Sequence, residues 1–106
     1  MHKSIIKSIS DPRTYKTITL PNKLDCLLIS DKDTDKSAAS LDVNVGQIND
    51  PQDRAGMAHF LEHMLFLGTK KYPDQSEYKT YISSVSGSNN AYTAMRDTNY
   101  FFDCSN

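Results

Sequence analysis

Glutamate and histidine are scarce in this chain. Among 106 residues there are three histidines, and glutamate occurs only at Glu62 and Glu77. No apolar run approaches the roughly 20 residues that a bilayer-spanning helix needs. The start, MHKSIIKSIS, is basic and apolar but lacks the hydrophobic stretch of ~7–15 residues that marks a secretory signal. It is also short and free of arginine, which argues against a transit peptide. No excess of charge exists: 12 basic and 13 acidic side chains leave a net charge of -1, with both signs interspersed. Such a balance gives no support to a nucleic-acid or membrane surface. Cysteine occurs twice, as Cys26 and Cys104 in apolar strand-like segments. They read as buried free thiols in a reducing compartment, hence a cytoplasmic protein, with a disulfide between them as the alternative. There is no internal repeat and no low-complexity segment. The length holds one domain at most, with a modest core.

Hydrophobic periodicity divides what remains into short elements. Residues 1–13 form an arm that ends at Asp11-Pro12, and the domain proper is residues 14–106. Tyr15–Leu20 alternates and is β-branched, which predicts a strand; Pro21-Asn22-Lys23 is a turn, and Leu24–Ser30 is the second strand of a hairpin. Ala38–Gly46 sets Leu41, Val43 and Val45 against Ser40, Asp42 and Asn44, a third strand with one wet face. Asn49-Asp50-Pro51 offers an N-cap followed by proline at the first helical position, although Gly56 moves the firm start of the helix to about Ala55. That helix runs to Leu67 and stops at Gly68. A second helix starts at Tyr72-Pro73-Asp74, with Asp74 as cap and Glu77 at the capping-box position. Tyr78, Tyr81, Ile82 and Val85 give it an apolar face that is expected to be core, and Gly87 ends it. Ser88–Met95 and Thr98–Cys104 are two further strands around a turn at Arg96-Asp97. The order βββααββ predicts an α+β fold with a mainly antiparallel sheet packed against two helices.

Within the first helix lies His59-Phe60-Leu61-Glu62-His63. Histidines at i and i+4 share a helix face, and a glutamate at i+3 lies beside them. Two imidazoles and a carboxylate around one point are the donors of a metal site, and zinc accepts His nitrogens. A catalytic zinc needs three protein ligands and an open position for water, so the helix supplies two ligands, His59 and His63. Glu62 is placed to take the proton of the bound water. Met57, Phe60, Leu61, Met64, Leu65 and Leu67 make the rest of the helix apolar, which predicts a buried element whose polar face requires partners.

The motif has the glutamate before the second histidine, the H-x-x-E-H order of the inverzincins. The run GMAHFLEHMLFLGTKKYP, the segments SGSNNAYT and DTNYFFDCS, and ISDKDTDKSAASLDVNVGQINDP upstream together resemble the N-terminal domain of the insulysin and pitrilysin family of inverzincin metallopeptidases. The resemblance extends from about Tyr15 to the end of the chain. It implies a zinc-dependent endopeptidase acting on peptides, with His59 and His63 as zinc ligands and Glu62 as general base. It also implies that Asn90, Ala91 and Tyr92 lie on a strand edge that pairs with the substrate, as an edge strand can by β-augmentation.

The family's third zinc ligand is a glutamate several tens of residues further on, beyond Asn106, and its remaining domains are absent here. The resemblance therefore implies a fragment of a larger enzyme, incomplete and inactive by itself, whose partners are the remaining domains and which self-associates through exposed surface. Glu77 is not a candidate for the missing ligand. Leu61 stands where some members carry cysteine, so no thiol sensitivity is expected from that position. Two other readings remain: a subunit like the mitochondrial processing peptidases, which an Arg-rich presequence would favour, and a non-catalytic scaffold, against which the intact His59, Glu62 and His63 argue.

Overall fold

The structure, a computed structural model, describes residues 5–106. The chain divides into two units, residues 1–34 and 35–106. In the first, β1 (Thr14–Thr19) and β2 (Asp25–Ser30) form an antiparallel hairpin whose register runs from Thr14 opposite Ser30 to Thr19 opposite Asp25. Lys23 takes a positive φ of 70° in the turn, where its N–H donates to Leu20 O at 2.8 Å. Ahead of β1 the Asp11 carboxylate collects the backbone N–H and guanidinium of Arg13 and the hydroxyl of Tyr15. Those donors hold the Asp11 carboxyl well below the usual carboxylate range, the Arg13 side chain contributing most. Asp11 in turn pushes the Tyr15 phenol up.

The second unit carries β3 (Lys36–Val43), a single 3-10 turn at Gln47–Asn49, α1 (Met57–Met64), α2 (Glu77–Ser84), β4 (Ser88–Thr93) and β5 (Thr98–Ser105). Its sheet has the order β3-β5-β4, antiparallel throughout. The element order is the βββααββ expected, and the fold is α+β. The strands, however, form two sheets: β3 leaves the hairpin and pairs with β5, which lies some sixty residues along the chain. Register sorts the side chains as the alternation requires. Leu41, Tyr100 and Ala91 stand opposite one another across the three strands, as do Ser40, Phe101 and Asn90. The wet face is stitched by Ser40 Oγ to Asn99 Oδ1 at 3.1 Å, Asn99 Nδ2 to Asp42 at 3.2 Å and Ser88 Oγ to Asp103 at 2.7 Å. The Ser88 hydroxyl is the main reason the Asp103 carboxyl sits below its ordinary range.

Gly46 lets the chain leaving β3 cross the β4–β5 turn at contact distance. A Cβ there would lie 2.5 Å from Ala94 O and 2.6 Å from Arg96 N, both backbone atoms that have no side-chain freedom to yield. Gln47 N–H to Ala94 O at 3.0 Å and Ile48 N–H to Met95 O at 2.9 Å then lock that turn.

Both helices are shorter than their periodicity suggested. α1 begins after Gly56, whose φ of 88° is left-handed, and beyond Met64 it tightens into i→i−3 turns that reach the positive φ of Gly68. Asp50 caps it, but not as a contiguous N-cap. Its carboxylate reaches over a loop to accept Gly56 N–H at 2.7 Å and Ala58 N–H at 2.8 Å, a contribution of about 1 kcal/mol in the usual range for N-caps. At α2 the N-cap is Ser76, without a side-chain cap bond. Asp74 instead accepts from the Ser76 N–H and hydroxyl in the preceding turn.

Two expectations about burial are corrected. The Tyr stripe of α2 is not core: Tyr81 is 65% exposed and Tyr78 39%, and only Ile82 of that face is buried. Nor is α1 a buried element with a polar stripe. Phe60, Leu61 and Leu65 are each more than half exposed, and Glu62 is the helix's one buried residue. Two eight-residue helices over three strands bury one side of each helix, and periodicity alone does not tell which side that is.

Candidate metal centre

α1 lies against β4 and places its motif at the end of that strand. The Nε2 atoms of His59 and His63 face each other at 3.0 Å, with ring centroids 4.7 Å apart and planes tilted by 44°. At that distance one ring donates and the other accepts, and both are solvent-exposed. A tetrahedral zinc with Zn–N bonds of about 2.0–2.1 Å would hold two such nitrogens roughly 3.3 Å apart. A shift of a few tenths of an ångström therefore converts the present contact into a ligand pair. The donors fit zinc in chemistry as well as spacing.

Glu62 points elsewhere. Its side chain is buried, and Oε2 accepts the Thr93 hydroxyl at 2.5 Å. No polar side-chain atom among the described residues is buried without a partner. The charge is felt nearby: the Tyr100 phenol is pushed up, first by burial and then by the Glu62 carboxylate. Among the described residues no three His, Cys, Asp or Glu side chains are gathered to hold a metal. The described residues supply two imidazole donors and an adjacent carboxylate, and Glu77 on α2 is not brought to them.

β4 is an edge strand of its sheet. The Ala94 N–H bonds Asp97 O across the turn, and hydrogen-bonded pairs alternate along an antiparallel ladder. The backbones of Tyr92 and Asn90 are therefore committed to Asn99 and Phe101 of β5, while those of Asn89, Ala91 and Thr93 face the open edge. Of the three residues singled out in the sequence, only Ala91 presents its main chain there, and its N–H is held by the Asn90 side-chain oxygen at 2.9 Å. Beside the edge, a cavity of about 710 Å³ separates the sheet residues Leu41, Tyr100 and Phe102 from Leu65, Phe66 and Tyr78. Cys26 and Cys104 are both free and half-buried.

Sequence reasoning missed Thr93, and it named Asp50 only within a contiguous N-cap. The signal for Thr93 was present in the strand alternation, which puts it on the same face as Ala91. The signal for Asp50 was read as a local cap.

The fold and the motif together define a peptidase-type α+β domain. The chain belongs to the insulinase family, peptidase family M16, whose sequence model matches residues 26–106. It is 55% identical over 98 residues to the A-factor-processing enzyme of Saccharomyces cerevisiae, covering 92% of this chain and 10% of that protein. It is 54% identical over 101 residues to the insulin-degrading enzyme of Homo sapiens, covering 95% of this chain and 10% of the relative. The crystal structure of pitrilysin matches the whole chain with a TM-score of 0.93 at 40% identity, the match covering 11% of that structure. The chain thus spans about a tenth of the length of these proteins.

Proposed function

We propose that residues 14–106 are the metal-helix part of the N-terminal domain of a zinc-dependent endopeptidase of the insulin-degrading type, with residues 1–13 as an arm. The observation that carries this reading is the pair of imidazoles facing each other at 3.0 Å beside a buried glutamate and an open strand edge. His59 and His63 would hold the zinc, and the third donor comes from outside residues 5–106. When bound, zinc supplies a Lewis acid that polarises a carbonyl and acidifies water. The rest of the chemistry belongs to the chain. Main-chain groups of Asn89, Ala91 and Thr93 bind an extended peptide as an added strand, with the Asn90 amide giving up Ala91 N–H as the peptide arrives. Asn90 and Tyr92 offer their side chains to it. Glu62 keeps Oε2 on Thr93 and receives the proton at Oε1, then returns it to the leaving amine. Free thiols at Cys26 and Cys104 suit a reducing compartment such as the cytoplasm.

The test is peptide hydrolysis by the protein at the full length of its relatives. A chelator should abolish cleavage and added zinc restore it; cleavage that survives exhaustive chelation would overturn the reading.

The 106-residue chain by itself has an open edge at β4 and many exposed apolar side chains, among them Phe60, Leu65 and Met95. Edges and apolar patches of this kind find another chain. Self-association at the concentrations of structural work is the expected outcome, and sedimentation equilibrium giving a monomer over a broad concentration range would contradict it.

A further inference from the structure

His59, Glu62 and His63 stand at i, i+3 and i+4, so all three side chains have one helix face within reach. An unrestrained carboxylate in that position can join two imidazoles around a divalent cation. Here it does not. The imidazoles meet each other in solvent, while the Glu62 carboxylate turns away, buried against β4, where the Thr93 hydroxyl donates to Oε2 at 2.5 Å. The hydroxyl is the donor, so the Glu62 oxygen that accepts it is already engaged on the strand.

Thr93 is well placed to act as a fixed post. It is the last residue of β4, paired with the buried Thr98, and the turn that follows is clamped by Gln47 and Ile48. Thr98 adds a bond from its own hydroxyl to Val45 O at 2.8 Å. The donor to Glu62 is thus anchored in the sheet.

We propose that Thr93 is a positioning residue that holds the Glu62 carboxylate out of the metal's coordination shell, reserving it for proton transfer. The inference rests on the zinc-peptidase reading above and adds a specific reason why the acid of this motif serves as a base and not as a ligand. Removing the hydroxyl frees the carboxylate to swing to the metal, so binding tightens while turnover falls.

The experiment is titration of the metal-stripped full-length protein with cobalt(II) and zinc(II), with far-UV circular dichroism on each variant. Thr93→Val should bind the metal tighter by roughly tenfold, the scale on which outer-shell partners tune metal sites. Thr93→Ala, which also lacks the hydroxyl, repeats the measurement with a smaller side chain in case the valine variant fails to fold. Thr93→Ser restores the donor and should match the parent. Combining Thr93→Val with Glu62→Gln should cancel the gain, because the added ligand is Glu62. Thr98→Val, a structural control, should lower stability and leave metal affinity at the parent value. In the full-length protein, Thr93→Val should lower kcat with KM unchanged, and serine should rescue it.

Unchanged or weaker affinity in folded Thr93→Val and Thr93→Ala, or a gain that persists without Glu62, would overturn the proposal. A full-length parent that binds neither metal would bring down the zinc reading itself, a result distinct from a parent that binds and variants that do not differ.

Discussion

Replacement of Glu62 by glutamine is expected to leave zinc in place and to abolish peptide hydrolysis in the full-length protein. Glutamine keeps the shape of the side chain and a carbonyl oxygen that can still accept the Thr93 hydroxyl, so the buried position survives. What it lacks is the ability to take a proton. Loss of a positioned general base lowers turnover by about 10²–10⁴-fold. Because Glu62 faces Thr93 and not the two imidazoles, the metal content should not follow the activity. Elemental analysis beside kcat on a peptide substrate makes the comparison. Turnover within a fewfold of the parent would remove Glu62 from the proton-transfer role, and loss of zinc in Glu62→Gln would make it a ligand instead.

Much of the sheet was legible because its information is local. The alternation of Leu41 and Val43 with Ser40 and Asp42 marks a strand with one wet face, and Arg96-Asp97 marks the turn between β4 and β5. Pairing is different. Nothing near β3 says that its partner is β5 and not β2, because that choice is made by side chains sixty residues away. Helix limits failed for a related reason: the α1 cap is Asp50, which acts across a loop. Periodicity correctly found apolar stripes on both helices but not what covers them, so Tyr81 and Phe60 were placed inside while the structure leaves them exposed. For the site, spacing was enough to bring His59 and His63 together, since i and i+4 on a helix meet whatever the rest of the chain does. The orientation of Glu62 was not readable, since its partner Thr93 is 31 residues distant and joins it only through the packing of α1 on β4.

The two histidines should behave alike and unlike Glu62. His59→Ala and His63→Ala each remove one of the two donors brought together among the described residues. A ligand lost from a three-donor site leaves too few bonds to offset desolvation of the ion, and the remaining imidazole is exposed and free to rotate. In the full-length protein either change is therefore expected to lose both zinc and activity, the latter to the limit of detection. Folding should be spared, because neither ring is buried and each faces the other on the exposed side of α1. Circular dichroism indistinguishable from the parent, with zinc absent by elemental analysis, is the expected pair of results. The same logic sets the affinity of the 106-residue chain: two imidazoles without a third donor should hold zinc too weakly to survive dialysis against a weak chelator. Stoichiometric zinc retained through that dialysis would mean that a neighbouring chain or an unforeseen residue donates the third ligand. Zinc retained by the full-length His59→Ala or His63→Ala protein would move the metal site away from α1 altogether.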